Sequence, residues 1–204
     1  MLPATGRWPL PRVFARGRRR ADELGALDRA AYRAIATHST PRLDRSLARL
    51  SDAADHSKLW LAAAGVAAAV GGARGRHAAV LAVASVGVTS LVSNVVVKGL
   101  LPRRRPDRSG AEVPEDRWVR MPASRSFPSG HSASAFAFAT AMSTAIPPLA
   151  PPLYLCAAAV AYSRVHTGVH YPGDALAGAL LGTAVAGLVV HAVDTRHGGL
   201  ATRP

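Results

Sequence analysis

The chain alternates between long stretches without a charged residue and short polar clusters. No Asp, Glu, Lys or Arg occurs in residues 59–73, 77–97, 132–163 or 175–193. Several of these stretches reach or approach the roughly 20 apolar residues that a membrane-spanning helix needs. Two proline pairs, at residues 147–148 and 151–152, divide the third stretch. The pattern predicts an all-α, polytopic membrane helix bundle with about five transmembrane helices, at residues 59–73, 77–97, 132–147, 153–163 and 174–193.

The residues before the first span show helical periodicity but carry too many charges to cross a membrane. Asp22 can cap a helix, and Thr40-Pro41 is typical of the start of a second one. The apolar positions that follow these two starts are spaced for one helical face: Leu24, Leu27, Ala31 and Ile35 in the first helix, and Leu43, Leu47, Leu50 and Ala54 in the second. In the second helix Asp44 falls on the opposite, polar side. We expect two amphipathic helices at the membrane interface or packed under the bundle.

This pattern divides the chain into four segments. Residues 1–21 are rich in Pro and Arg without periodicity, which predicts a basic disordered tail. Residues 22–57 hold the amphipathic helices, residues 58–195 form the transmembrane domain, and residues 196–204 form a C-terminal tail. Within the last span, Gly178 and Gly182 favour close helix contact, although an ordinary alanine-rich helix would explain them equally well.

The formal charge narrows the classes of binding partner. The chain has 25 Lys and Arg against 12 Asp and Glu, a net charge of +13. A nucleic-acid binder is disfavoured, because basic residues are excluded from half of the chain and no reader motif is present. Attraction to anionic lipid head groups and a site that holds an anion both fit the charge.

Three polar clusters flank the predicted spans, and threading five spans alternately places all three at one face. Lys98 and Arg105-Pro106 follow the second span and supply two cations. The second cluster, Ser126 to Ser132, opens the third span, where glycine permits close backbone approach and the amides of a helix start can face an anion. The arginines between the first two clusters, Arg103, Arg104 and Arg108, are interpreted as a basic membrane-flanking loop.

The third cluster, Ser163 to Asp174, combines a cation, two histidines and a carboxylate. The guanidinium of Arg164 is a planar fork that matches phosphate oxygens. His170 and Asp174 lie four residues apart. The carboxylate could therefore keep one ring nitrogen of His170 protonated and leave the other nitrogen free to attack. His166 lies outside this arrangement. The remaining histidines are interpreted as structural: His38, His56, His77, His191 and His197.

Together the clusters resemble the signature of the type 2 phosphatidic acid phosphatase superfamily, which that family shares with vanadium haloperoxidases. The signature reads Lys-x6-Arg-Pro, then Pro-Ser-Gly-His, then Ser-Arg-x5-His-x3-Asp. Every position is present in order, from Lys98 to Asp174, and the resemblance covers about residues 55–193. Six-span members of the family would have another spanning helix where this chain has its two amphipathic helices, so the role of residues 1–58 is open.

The resemblance implies a role for each signature residue. His170 would be the nucleophile that forms a phosphohistidine, Asp174 would orient it, and His131 would protonate the leaving oxygen. The residues expected to hold the phosphoryl oxygens are Lys98, Arg105, Ser129, Gly130 and Arg164. Fixed cations and amides can stabilise a charged transition state by electrostatics. Neither a metal ion nor another cofactor is therefore expected.

These expectations indicate an integral-membrane lipid phosphatase. Its substrate would carry a phosphomonoester or diphosphate, as in phosphatidic acid, phosphatidylglycerol phosphate or a polyprenyl phosphate. A vanadate-dependent peroxidase is the first alternative, disfavoured by the apolar spans. An inactive membrane scaffold or transporter subunit is the second, disfavoured by the complete signature. A homo-oligomer held together by helices is compatible with the sequence. The side of the cell membrane that carries the site stays open, because the flanking basic residues favour the cytosol whereas family members mostly face outward.

Overall fold

The described part of the chain forms seven helices, two N-terminal helices and a five-helix bundle. The computed structural model describes residues 12–38 and 40–201, with side chains at 19–38 and 40–195, and that part of the chain contains no strand. The helices are α1 Arg12–Thr37, α2 Pro41–Ala53, α3 Lys58–Val70, α4 Gly72–Leu100, α5 Gly130–Ala145, α6 Ala150–His166 and α7 Pro172–Ala201. Short 3-10 turns lie at Asp55–Ser57, Glu115–Arg117 and Pro147–Leu149, and α4 includes a π-helical segment at Val92–Val97. The predicted all-α bundle is confirmed.

Helix α5 is the central element, because α4, α6 and α7 all pack against it. Its alanines from Ala133 to Ala141 are completely buried, and Phe138 lies with its ring centroid 5.2 Å from that of Trp60 in α3. Helix α7 approaches α5 most closely at two glycines. A Cβ atom at Gly178 would lie 2.3 Å from the carbonyl oxygen of Ser129, and one at Gly182 would lie 2.0 Å from that of Ala133. The predicted small-residue contact therefore forms within the chain, and a homo-oligomer would need another helix face.

All five predicted spans are helical, but they differ in length. In the described part of the chain, two helices are long and apolar enough to cross a membrane, Gly72–Leu100 and Pro172–Thr195. Helices α3, α5 and α6 have 13, 16 and 17 residues. At 1.5 Å per residue they cover about 20 to 26 Å, less than the hydrocarbon core of about 30 Å. The fold thus supports two spans by length, and the predicted count of five is not confirmed.

Two helix ends differ from the sequence prediction. Helix α1 begins at Arg12 and not at Asp22, so residues 12–21 of the predicted tail are helical. Arginine and alanine are strong helix formers, which lets the helix extend beyond its apolar stripe. Helix α7 continues to Ala201, so residues 196–201 of the predicted C-terminal tail are also helical. Residues 1–11 and 202–204 of the two predicted tails lie outside the described residues.

The N-terminal helices turn polar residues, as well as apolar ones, toward the bundle. Leu24 and Leu27 of α1 are both 67% exposed, whereas Tyr32 on its inner side is buried. In α2, Asp44 and Ser51 are buried, which corrects the prediction that Asp44 lies on an outer polar face. Buried polar groups need partners, and these residues find them at the ends of the bundle helices, as described below.

Candidate active site

His170 and Asp174 form a buried pair at the start of α7. Nδ1 of His170 lies 3.6 Å from Oδ2 of Asp174, and both side chains are almost completely buried. The hydroxyl of Ser126 donates to the same Oδ2 at 2.5 Å and lies 3.4 Å from Nδ1 of His170. The Tyr171 amide also donates to Oδ2, at 3.0 Å. Sequence reasoning gave Ser126 no role, although it stands two residues before the Pro-Ser-Gly-His motif.

The other ring nitrogen of His170 faces Arg105. One terminal nitrogen of Arg105 lies 3.1 Å from Nε2 of His170 and donates to the carbonyl of Val169 at 2.8 Å. Because a guanidinium only donates, its partner Nε2 is best assigned as an acceptor, which places the ring proton on Nδ1 beside Asp174. Burial, opposed by the Asp174 carboxylate and reinforced by the nearby cations, lowers the pKa of His170 to about 3. The ring is therefore neutral at neutral pH, as a nucleophile must be.

A cavity of about 240 Å³ opens beside His170. Helix α4 supplies Lys98, whose Nζ donates to Oδ1 of Asn94 at 2.8 Å and to Oγ of Ser124 at 3.2 Å. The π-helical segment of α4 ends just before this lysine, so Lys98 lies on the last helical turn and not in a loop. Such segments occur frequently at functional sites. Five signature residues line this one cavity: Lys98, Arg105, Gly130, His131 and His170.

Arg164 keeps two hydrogen-bond donors without a partner. Its side chain is 1% exposed, and one terminal nitrogen donates to Oγ of Ser51 at 2.5 Å. Nε and the other terminal nitrogen make no hydrogen bond within the described part of the chain. An unsatisfied buried donor typically costs about 1–3 kcal/mol, so oxygens of a bound anion would stabilise this side chain. The terminal nitrogen that donates to Ser51 lies 3.9 Å from Oδ1 of Asp55, the carboxylate that His131 contacts, so Arg164 lies beside the cavity.

His131 is paired with a carboxylate that the signature does not contain. Its Nε2 lies 2.6 Å from Oδ1 of Asp55, which also lies 3.9 Å from Arg164. Asp55 belongs to the turn between α2 and α3, where His56 and Ser57 both have positive φ angles, 53° and 59°. Such conformations cost about 1–3 kcal/mol each and persist where the surrounding structure enforces them. His56, interpreted from the sequence as structural, lines the cavity from this turn.

Ser129 and Gly130 occupy different positions at the start of α5. The Ser129 amide donates to the carbonyl of Asp174 at 2.9 Å, and its hydroxyl caps the helix by accepting from Ser132. Gly130 lines the cavity, and a Cβ atom there would lie 3.8 Å from Nζ of Lys98. The structure thus uses Ser129 to join α5 to α7, and its contact with phosphate stays a prediction.

Two arginines assigned to a flanking loop, one half-buried and one buried, bond to other parts of the protein. Arg103 donates to Oδ1 of Asp174 at 2.7 Å and also pairs with Asp28 of α1. Arg108 is buried and donates to the carbonyl of Val119. The flanking-loop interpretation is therefore wrong for these two residues, and it stays a prediction for the exposed Arg104. The long loop folds back over the site, which apolar periodicity could not indicate.

A second buried cluster ties α2 to α6. Oδ1 of Asp44 lies 2.9 Å from Nε2 of His166 and 3.0 Å from Nε of Arg117. Arg117 is completely buried and also donates to the backbone carbonyls of Ile35, Ala36 and His38. His166 therefore has a partner outside the cavity, in keeping with its absence from the signature.

The fold is a helical bundle with a cation-lined polar cavity at the ends of its helices. The model of the PAP2 superfamily matches residues 78–197, more than half of the chain, and the chain belongs to that family. The two long apolar helices and the family together make it a membrane-associated protein.

Similar proteins include enzymes from two mycobacteria. Decaprenylphosphoryl-5-phosphoribose phosphatase from Mycobacterium tuberculosis is 38% identical over 100 residues, covering 47% of this chain and 50% of the relative. The protein of the same name from Mycolicibacterium smegmatis is 34% identical over 134 residues, covering 63% of this chain and 67% of the relative. The match therefore spans about half the length of the first relative and two thirds of the second.

Two solved structures share the fold. The crystal structure of Aquifex aeolicus LpxE has a TM-score of 0.64 at 24% identity, covering 81% of this chain and 95% of that one. The transmembrane PAP2 type phosphatidylglycerolphosphate phosphatase from Bacillus subtilis has a TM-score of 0.66 at 24% identity, covering 85% and 87%. At this identity the likeness supports the helical architecture alone.

Proposed function

We propose that the protein is an integral-membrane phosphatase that hydrolyses the phosphomonoester of a lipid through a phosphohistidine. One observation carries the proposal: His170, Lys98 and Arg105 converge on one cavity while Arg164, beside them, keeps two buried donors without partners. Cations converging beside a neutral imidazole suit a phosphoryl group better than they suit a neutral substrate. The names of the mycobacterial relatives agree with this class of reaction.

The geometry supports a two-step reaction. Nε2 of His170 attacks phosphorus, the bond from phosphorus to the lipid oxygen breaks, and His131 gives that oxygen a proton. The Nδ1 proton of His170 stays toward Asp174, which stabilises the charge that develops on the ring. A water molecule then attacks the phosphohistidine and loses its proton to His131, which releases phosphate and restores both histidines.

The cations act on the phosphoryl oxygens throughout. Charge spreads over three oxygens as phosphorus passes between His170 and the leaving oxygen. Lys98, Arg105 and Arg164 are held in place by protein partners before substrate binds, so little reorganisation is needed during the reaction. Asp55 favours the imidazolium form of His131, which is the form that can donate a proton.

The uncharged part of the cavity lining supports a more specific substrate class. Ser90 and Asn94 of α4 and Ser134 of α5 line it with hydroxyl and amide groups. Such groups pair with hydroxyls of a leaving group better than with the acyl chains of a diacylglycerol. The names of the relatives specify a phosphoribose on a decaprenyl carrier. We therefore place a phosphorylated sugar on a polyprenyl carrier first among the substrates, ahead of phosphatidic acid and phosphatidylglycerol phosphate.

A substrate panel tests the activity. The full-length protein, purified in detergent, is given a polyprenyl-linked pentose 5-phosphate, a polyprenyl phosphate, phosphatidic acid and phosphatidylglycerol phosphate, and phosphate release is measured. The sugar-bearing lipid should have the highest kcat/KM, and His170→Ala should release none. A folded wild-type protein that hydrolyses none of the four would overturn the proposal. Faster hydrolysis of phosphatidic acid would overturn the substrate order alone.

The proposal includes a multi-pass topology, in which the shorter helices cross with α4 and α7. The loop at residues 101–129 and the turn at Pro147–Leu149 lie at opposite ends of α5. Single cysteines at exposed positions, Ser109→Cys and Pro148→Cys, should label from opposite sides of the membrane when Cys156 is replaced by Ala. Labelling of both from the same side would show that α5 does not cross.

A further inference from the structure

Arg103 joins the buried carboxylate of Asp174 to helix α1. One terminal nitrogen of its guanidinium donates to Oδ1 of Asp174 at 2.7 Å, and the other donates to Oδ2 of Asp28 at 2.5 Å. The exposed fractions of the three side chains are 28% for Arg103, 13% for Asp28 and 0% for Asp174. The planar fork of an arginine can hold two carboxylates in one fixed arrangement, which a lysine ammonium cannot reproduce.

Further contacts fix this bridge from several directions. The guanidinium carbon of Arg103 lies 4.2 Å from the ring centroid of Tyr171, which in turn packs edge to face on Tyr32 of α1. Oδ1 of Asp28 accepts from the amide of Gly173, at 2.7 Å. A Cβ atom at Gly173 would lie 3.0 Å from Asp28, so glycine permits this close approach. Helix α1 is therefore bonded to the first turn of α7, directly beside Asp174.

The bridge determines which oxygen of Asp174 faces His170. Oδ1 is occupied by Arg103, whereas Oδ2 accepts from Ser126 and Tyr171 and faces Nδ1 of His170. Without Arg103 the carboxylate would lose its only charged partner at Oδ1 within the described residues. It could then rotate away from the geometry that keeps the His170 proton on Nδ1. Neither Arg103 nor Asp28 lines the cavity beside His170.

We infer that Arg103 and Asp28 are positioning residues of the reaction: Arg103 orients Asp174, and Asp28 holds Arg103. The inference rests on the proposed phosphatase function. It assigns a task to helix α1, which lies outside the family signature. Because both residues act through Asp174 and not on the phosphoryl group, their loss slows formation of the phosphohistidine and leaves substrate binding unchanged.

The alternative is a purely structural tie between α1 and the bundle. In that case removing the tie would reduce stability and the fraction of active protein, with no specific change in the chemical step. Three measurements distinguish the two explanations. They are whether kcat falls while KM stays constant, how fast the phosphohistidine forms, and how the kcat of a double variant compares with those of the single variants. Asp28→Asn isolates the ion pair, because the amide oxygen of asparagine can still accept from Gly173.

The experiment compares full-length Arg103→Met, Asp28→Asn and the double variant with wild type, in detergent, on a lipid phosphate. Arg104→Met and Asp22→Asn, at exposed positions of the same loop and helix, serve as matched controls. We expect kcat to fall about 10- to 100-fold, the range found when outer partners of functional side chains are removed. KM and competitive inhibition by inorganic phosphate should not change. Rapid quench at alkaline pH should show phosphorylation of His170 slowed by the same factor.

The double variant shows whether Asp28 acts through Arg103 or whether the two residues act independently. If Asp28 acts only through Arg103, the double variant is no slower than Arg103→Met. Arg103→Lys keeps the charge and one hydrogen bond, so it should recover part of the rate, and it replaces Arg103→Met if that variant does not fold. Unchanged kcat in folded variants, or losses that multiply in the double variant, would overturn the inference while the phosphatase function stands. An inactive wild type would overturn both.

Discussion

The carboxylate of Asp55 lies 2.6 Å from Nε2 of His131, although 76 residues separate them in the chain. The carboxylate stabilises the imidazolium form of His131 relative to a ring without this partner, which favours proton donation to the leaving oxygen. We expect Asp55→Asn to lower turnover of a lipid phosphate and to have much less effect on an activated aryl phosphate, whose leaving group needs no proton. Steady-state kinetics on both substrates check this, with Asp52→Asn as the exposed control. An equal loss on both substrates would show that Asp55 supports the site in another way.

The two histidines should respond differently to the leaving group. His131→Ala should reduce hydrolysis of a lipid phosphate by about 10²- to 10⁴-fold, the usual contribution of general acid catalysis, and should affect an aryl phosphate much less. His170→Ala should be inactive on both, because no covalent intermediate can form. The measurement needs two variants and two substrates in one detergent. Aryl phosphatase activity retained by His170→Ala would place the nucleophile elsewhere.

Arg164→Lys should lose activity although it keeps the charge. The two unpartnered donors of Arg164 are suited to two phosphate oxygens, and an ammonium group cannot copy that fork. We expect a loss of about 10²- to 10³-fold in kcat, as for removal of one transition-state donor. Arg104→Lys is the matched control, because Arg103 contacts Asp174 and cannot serve as a neutral position. Equal effects of the two substitutions would mean that arginines contribute only diffuse charge.

Catalysis should continue in the presence of a chelator. Lys98, Arg105 and Arg164 supply the positive charge that a divalent cation provides in many phosphatases. Phosphate release by the purified protein should therefore be the same with and without EDTA. Orthovanadate should inhibit competitively, since it adopts the five-coordinate geometry expected when His170 attacks phosphorus. Activity that EDTA abolishes and magnesium restores would contradict this prediction.

Acid should destabilise the wild-type protein more than a variant without His170. The pKa of this histidine is about 3 in the folded protein, against 6.5 for an unperturbed imidazole. Between these values the unfolded chain binds a proton that the folded chain does not bind, so stability falls as the pH drops below about 6.5. Between about pH 7.5 and pH 5, the melting temperature of His170→Gln should therefore decrease less than that of wild type. The exposed His77→Gln should behave as wild type does.

The sequence was sufficient to predict the helical bundle and five of the thirteen residues that line the cavity. Uncharged stretches located all five bundle helices, and alternate threading brought Lys98, His131 and His170 to one face, where they share a cavity. That prediction succeeded because apolar length and helix direction are properties of local sequence. The helix ends were less predictable, since arginine and alanine continue α1 without an apolar face.

The acidic partners of the site could not be predicted. Asp28, Asp44 and Asp55 lie in or just after amphipathic helices, where periodicity assigns charged residues to the solvent. They face inward because each meets a cation or histidine contributed by a distant part of the chain, and local patterns carry no information about such pairs. Arg103 was misassigned for the same reason: its position in a basic loop indicates charge but gives no indication of its partners.

The inward-facing residues of the N-terminal helices determine how much of the chain is needed for a stable fold. The region that matches the family begins at residue 78. Asp28, Asp44 and Asp55, which accompany Arg103, Arg117 and Arg164, all precede it. Removing one partner of a buried ion pair typically costs about 3–5 kcal/mol, and a whole domain is stable by only about 5–15 kcal/mol. A polypeptide trimmed to the family boundary would lose one such buried partner, Asp44, together with the two more exposed carboxylates, Asp28 and Asp55. Any shortened, fused or chimeric version of this protein therefore has to carry its first two helices with it.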